Sequence, residues 1–401
     1  MLRRLQFGLD RNLALLFWGI FFTQVAWGAS DRFRPIYIQE LGASTALVGV
    51  ILGAAELFRL LGLFIAGPLS DRVSPRLLIG GGRSLIVVGA GTYLIAQEYW
   101  HLFPAFFIGA LGNVAWPAIS RVIANATTSA TRTRSFLLIY TIGPGVASLG
   151  APLLGGVVAD VFGVRAVFAI TTVGVAIAAF FFWMVRAPAP PRESATTARY
   201  ADVVRHRPTL SLCILNLSVV FFAWLGLTLA PNYLYDIHGI SLRRVGEFGT
   251  LVAVGSICTG LLISRRAWLA RPMNGLLATT FFLPFVFALL ALGSNVWSFA
   301  LAFLIWGIAS VSAQTFYTAI SDVAPATLQA RSFALFEVMT ALGYTFSGFA
   351  AGALYRFDPV YPLWGACIGS IMIIGASLAV RRYLARVAST LPSVPLPANT
   401  T

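Results

Sequence analysis

The chain has 401 residues, of which 58% are hydrophobic and only 10% charged. A soluble domain carries about a quarter charged residues, so lipid rather than water must cover much of this surface. The formal charge of +14 would suggest nucleic acid in a soluble protein. Here all 28 basic residues are arginines, most of them in short gaps between apolar runs, which is how a polytopic membrane protein fixes its orientation. Nucleic acid is therefore not an expected partner, whereas the lipid bilayer is.

Apolar runs of spanning length fall at 12–30, 45–67, 77–97, 102–123, 135–157, 165–185, 209–230, 245–264, 273–293, 296–318, 333–355 and 362–380, twelve in all. They must be helical, because an unpaired backbone amide in hydrocarbon is too costly. They also lack the alternation of a transmembrane barrel. The first run has no small-residue cleavage site and is expected to be a retained span. The cysteines Cys213, Cys258 and Cys367 sit inside apolar runs without paired spacing, so neither a disulfide nor a zinc site is expected.

An even number of spans puts both termini on one face. With that face cytoplasmic, 20 arginines lie inside and six outside (Arg32, Arg34, Arg165, Arg243, Arg244 and Arg356), while Arg59 and Arg83 fall within spans. The bias sets both termini in the cytoplasm. The stretch 186–208 is the longest polar interval, and its Pro, Ser and Thr content suits a cytoplasmic linker. It separates an N-terminal six-helix bundle, 1–185, from a C-terminal one, 209–388, and the tail 389–401 reads as disordered.

The halves repeat. Pro35-x-Tyr37 followed by Gly42-x-Ser44-x-x-x-Val48-Gly49 recurs as Pro231-x-Tyr233 followed by Gly239-x-Ser241-x-x-x-Val245-Gly246. At an offset of 197, Ala105, Phe106 and Ile108 match Ala302, Phe303 and Ile305; Arg134-Ser135-Phe136 matches Arg331-Ser332-Phe333; Gly155 matches Gly352. Two six-helix halves entering from the same side form a parallel repeat about an axis along the membrane normal, with a central cavity able to open to either face. The expected fold is thus an all-α membrane protein of twelve transmembrane helices in two pseudo-symmetric bundles.

After the second run comes 67-GPLSDRVSPR-76, which resembles the signature G-x-x-x-D-R-x-G-R-[RK] of the major facilitator superfamily at Gly67, Asp71, Arg72 and Arg76, with Ser74 and Pro75 departing from it. The resemblance covers all but the ends of the chain. It implies a secondary transporter in which this loop is a latch closing the cytoplasmic side in one state; the arginines would also serve topology alone. The fifth run carries 150-GAPLLGG-156, similar to the family's G-P-x-x-G-G, an element associated with antiporter-type exporters, with Ala151 in place of Gly. Gly150, Pro152, Gly155 and Gly156 are accordingly helix-packing candidates. The arginine that drug antiporters of this family hold early in span four is missing, its place falling near Ala105.

Ionisable groups within spans are functional candidates by default. Glu56 and Arg59 share one face of span two, Arg83 lies in span three and Glu337 in span eleven. In the family's packing spans two and eleven are neighbours. Rises of about 1.5 Å per residue put Arg59 and Glu337 within reach of one another. Either Glu56 and Arg59 simply neutralise each other, or the three form a network between the halves that protonation of Glu337 would release. The family's arrangement further implies a substrate cavity lined by Gln24, Trp27, Asn113, Trp116, Tyr140, Asn216, Trp224, Thr228, Trp306, Gln314, Tyr317 and Tyr344, an aromatic surface with scattered amides.

Neither a phosphate-binding loop nor a metal-spaced histidine set occurs, so no enzyme, cofactor or metal is expected; a proton or other ion gradient would be the coupling partner. The expected activity is proton-coupled export of small amphipathic or hydrophobic compounds by alternating access, by a monomer in the cell membrane. Import of sugars or organic anions on the same fold is the alternative, and a non-transporting receptor or scaffold is a third reading.

Overall fold

The computed structural model describes residues 9–113, 115, 119, 122, 123, 126, 135, 138–186, 200–325 and 327–390. Every regular element among them is helical. The first half contains α1 (Arg11–Ser30), a short α2 (Arg34–Glu40), α3 (Thr45–Arg72), α4 (Pro75–Ile95), α5 (Leu102–Gly112), α6 (Gly143–Phe162) and α7 (Val164–Trp183). The second contains α8 (Arg207–Leu227), α9 (Leu242–Arg265), α10 (Pro272–Thr280), α11 (Leu283–Leu292), α12 (Val296–Ser310), α13 (Ser312–Val323), α14 (Gln329–Tyr355) and α15 (Tyr361–Thr390).

Eleven segments among the described residues are long and apolar enough to cross a membrane, against the twelve expected. The difference is the run at 102–123. Its described helix, α5, ends at Gly112, and most of the remainder lies outside the described residues. Runs nine and ten each divide into two helices, α10 with α11 and α12 with α13; Pro284 in the first turn of α11 accounts for the first break. Large exposed apolar side chains such as Ile95, Phe162 and Phe180 form the outward surface that lipid would cover.

Within the first half α1 packs on α6 and α7, α4 on α5 and α7, and α3 on α5; within the second, α8 packs on α14 and α15, α9 on α12, and α11 on α12 and α15. The halves meet along two seams, α3 with α14 and α6 with α9. One end of the bundle is marked by a reciprocal clasp in which Asn12 Nδ2 donates to Arg186 O at 2.8 Å and Arg186 N to Asn12 Oδ1 at 3.1 Å. The opposite end, called here the far end, holds the connections 31–44 and 228–241.

Those connections explain the repeated Gly-x-Ser-x-x-x-Val-Gly. Gly42 (φ 94°) and Gly239 (φ 62°) end a helical segment in the left-handed region that favours glycine. Ser44 and Ser241 then cap the next helix, accepting from Leu47 N at 3.3 Å and Arg244 N at 3.4 Å. Val48 and Val245 are buried. The final glycines make the seams: a Cβ on Gly49 would lie 2.7 Å from Gly348 O and Gly352 N, and one on Gly246 would lie 2.5 Å from Pro152 O.

The repeat changes offset by one residue inside this motif, and the extra residue is visible. Ala43 N bonds Ile38 O at 3.3 Å, five residues back, whereas its counterpart Ile240 N bonds Leu234 O at 3.0 Å, six back. Regular helix α2 in the first half is matched by a π-helical turn, Tyr233–Ile237, in the second. The wider i→i+5 turn accommodates the one inserted residue.

Candidate functional site

A cavity of about 770 Å³ lies between the halves. Helical periodicity selects its walls. On α8 and its C-cap the residues Asn216, Val220, Trp224 and Thr228 recur every fourth position; α14 contributes Phe336, Glu337, Thr340 and Tyr344; α3 contributes Leu52, Ala55, Glu56 and Arg59. Trp306 and Tyr317 enter from α12 and α13, and Asp31, Arg32 and Arg34 form the floor at the far end.

The wall facing the α3–α14 seam holds a chain of polar contacts. Arg59 Nε donates to Glu56 Oε2 at 2.6 Å, and its Nη1 stands 4.0 Å from Glu337 Oε2. Tyr317 Oη donates to the other oxygen, Glu337 Oε1. Glu56 and Arg59 come from the first half; Tyr317 and Glu337 come from the second. All three charged side chains are half-buried, so the carboxylates share one guanidinium where bulk water is limited. Neutralising Glu337 would remove the reason for Arg59 to reach across. Nearby, Asn216 Nδ2 donates to Thr340 Oγ1 at 2.8 Å, and Trp224 meets Tyr344 edge to face at 5.0 Å.

Beyond Glu337, toward the end with the Asn12–Arg186 clasp, α13 leaves Gln314, Tyr317, Thr318 and Ser321 exposed while Thr315, Phe316, Ala319 and Ile320 are buried. A polar stripe of this kind suits a water-filled cleft and not lipid. At the far end the halves are tied shut. Gln39 Nε2 donates to Asp236 Oδ2 at 2.8 Å; Asn232 Nδ2 donates to Pro35 O at 3.3 Å and also to Gln39 Oε1.

Six of the twelve residues expected on the cavity line it: Asn216, Trp224, Thr228, Trp306, Tyr317 and Tyr344. Gln24, Trp27, Asn113, Tyr140 and Gln314 are not on its lining, and Trp116 lies outside the described residues. Trp27 instead lies under the Arg34 guanidinium, 5.5 Å from its ring centre. Asn113 Nδ2 turns back to Gly109 O at 3.4 Å, and Gln314 belongs to the exposed stripe of α13. Arg83 is buried against the Phe182 ring at 4.9 Å, away from the cavity. Gly67, Asp71 and Arg72 fall in the last turns of α3, where only the backbone is described, and Arg76 is exposed. Among the packing candidates, Gly155 abuts Ala29 of α1, while Pro152 and Gly156 sit on the α9 seam. A Cβ on Gly150 would meet nothing within 4 Å.

The sequence had marked Arg32 and Arg34 only as outside-loop charges and had not singled out Asp31. The signal available was their position: three charges in four residues immediately before the repeated Pro35-x-Tyr37.

A family model described as "Major Facilitator Superfamily" matches residues 16–348. The chain belongs to this superfamily of membrane transporters. Among curated relatives of this superfamily member, the multidrug resistance protein MdtG of Proteus mirabilis is 26% identical over 89% of the chain and 93% of the relative. That of Escherichia coli is 31% identical over 43% of each chain. Among solved structures, a POT family transporter in complex with 5-aminolevulinic acid aligns with a TM-score of 0.78, 14% identity and coverage of 95% of this chain and 97% of that one. At that identity the likeness shows the shared fold alone.

Proposed function

We propose that this superfamily member is a proton-coupled exporter of small amphipathic compounds, working as a monomer in the cell membrane with both termini in the cytoplasm. The observation that carries the proposal is the Glu56–Arg59–Glu337 contact, which bridges the halves on the wall of an aromatic cavity. The similarity to proteins named for multidrug resistance supports the direction and the breadth of substrate.

In this reading the far end faces outward and is closed, and substrate enters from the cytoplasmic cleft bordered by α13. The body of the substrate stacks among Trp224, Trp306 and Tyr344. Substrate binding beside Glu337 displaces Arg59, the α3–α14 seam parts at the far end and the substrate leaves. A proton from outside then neutralises Glu337, and the far end closes with the proton aboard. Release of the proton to the cytoplasm restores the contact and resets the carrier. On the cytoplasmic side the loop bearing Gly67, Asp71, Arg72 and Arg76 serves as the opposing latch.

The test is proton flux in everted vesicles followed with a pH-sensitive dye, challenging wild type and Glu337→Gln with drugs, sugars and organic acids. Substrate-triggered proton release in wild type and its loss in the variant are expected. Equal, pH-insensitive transport by both proteins would end the proton role of Glu337.

A further inference from the structure

The cavity floor carries two guanidiniums, Arg32 and Arg34, against one carboxylate, Asp31. Of the three guanidiniums on the lining, Arg34 is held by Asp31, Nη2 to Oδ1 at 2.6 Å, and Arg59 by Glu56 at 2.6 Å. Arg32 makes no ion pair within 4.0 Å among the described residues. It nevertheless lines the cavity.

Its position is fixed from the other half. A Cβ on Gly249 of α9 would lie 2.8 Å from Arg32 Cζ and Nε, so the guanidinium rests in a notch that exists because residue 249 has no side chain. A residue of the first half is thus seated on the second at the closed end. Thr228 beside the floor and Asn216 on the same wall are twelve residues apart on α8 and its cap, about 18 Å at the helical rise. Trp224 and Tyr344 lie between them. A molecule with an anionic head on Arg32 therefore has an aromatic wall for its body and reaches toward Glu337 at the other end.

We infer that Arg32 is the anion seat of this cavity, and that the preferred substrates are organic anions, carboxylates above all, attached to an aromatic or apolar body. The inference deepens the transport reading and rests on it for the word substrate, though not for binding. A planar guanidinium takes a carboxylate through paired, charge-assisted hydrogen bonds. Because the seat is assembled from both halves, the anion also binds the far-end-closed state more tightly than a state in which α9 has moved away, which is what loading from the opposite side requires.

Three probes with one fluorophore test this by fluorescence on protein in neutral-lipid nanodiscs: dansylglycine (anion), dansylglycinamide (neutral) and dansyl-ethylenediamine (cation). Wild type should bind dansylglycine about tenfold or more tighter than the amide, as expected for a hydrogen-bonded charge pair. Arg32→Gln should abolish that preference while leaving amide affinity unchanged. Arg32→Lys should retain part of it, and Gly249→Ala, which fills the notch, should reduce it with every charge in place; these two carry the test if Arg32→Gln fails to fold. Equal binding of anion and amide by wild type, or an intact preference in Arg32→Gln, overturns the seat. Flux is scored separately: preference without dansylglycine flux would sink the transport reading and leave the seat standing, and flux without preference would do the reverse.

Discussion

The two seams between the halves share their geometry and differ in their chemistry. Each is a close crossing made by glycine at the far end, Gly49 on Gly348 and Gly352 in one, Gly246 on Pro152 and Gly156 in the other. Further along, the α3–α14 seam carries Glu56, Arg59 and Glu337. The repeat places Ala253, Ser256 and Tyr140 at the corresponding positions of the other half. The α6–α9 seam instead has a neutral contact, Thr250 Oγ1 donating to Leu149 O at 2.9 Å. Backbone proximity is symmetric because the repeat carries Gly49 and its counterpart Gly246 into both crossings. Among the described residues, ion pairing between the halves is confined to one seam.

The comparison is broken most severely by filling a crossing. Gly49→Leu places side-chain atoms where backbone already lies, an overpacking of about 3 kcal/mol, which is about a hundredfold shift away from the closed far end. Vesicle flux should fall by about that factor, and Gly246→Leu should match it although its seam carries no ion pair between the halves among the described residues. The two variants should also expose a cysteine placed at Val245, now buried, to an impermeant maleimide.

The charge asymmetry is sharpened by a paired substitution. Glu337→Gln should lower proton-linked flux by about tenfold, equivalent to about 1.4 kcal/mol, and flatten its pH dependence. Tyr140→Phe on the counterpart position should leave the pH profile unchanged. A pH profile altered by both would mean that the coupling is distributed over the two seams.

Smaller effects are expected on the wall and at the clasp. Trp224→Ala removes the aromatic partner of Tyr344 and, in the transport reading, a stacking surface for substrate, a contribution of about 1 kcal/mol beyond buried area. Amphiphile binding should weaken about five- to tenfold with flux falling in proportion. Gln39→Ala removes hydrogen bonds to Asp236 and Asn232 that together contribute about 1–2 kcal/mol. Maleimide labelling at Val245 should then rise severalfold, well short of the glycine variants.

Much of this fold is legible in the sequence because lipid leaves few alternatives. A run such as 165–185 can only be a helix, and it appears as Val164–Trp183. The approach of Arg59 to Glu337 was readable from depth, since helical rise converts position into height. The rotation of α1 was not. Its sequence is apolar on every side, so nothing in it said that Gln24 and Trp27 would be turned from the cavity. Nor could residue order alone show that 31–34 would serve as a floor: that depends on α2 tucking under the bundle and on Asn232 and Gln39 pinning it to the other half.

The wide turn at Tyr233–Ile237 has a consequence for how this chain tolerates change. Its counterpart α2 manages the same connection with one residue fewer and delivers the following glycine, serine cap and crossing in the same order. The second half therefore holds a spare residue, kept in a loop of backbone that is wider than it needs to be. Deleting exposed Tyr235 should collapse that turn to an ordinary one and leave α9 in register, whereas a deletion inside α9 itself would swing every later side chain by about 100°. One amino acid should thus be dispensable at this turn while the helices on either side keep their register.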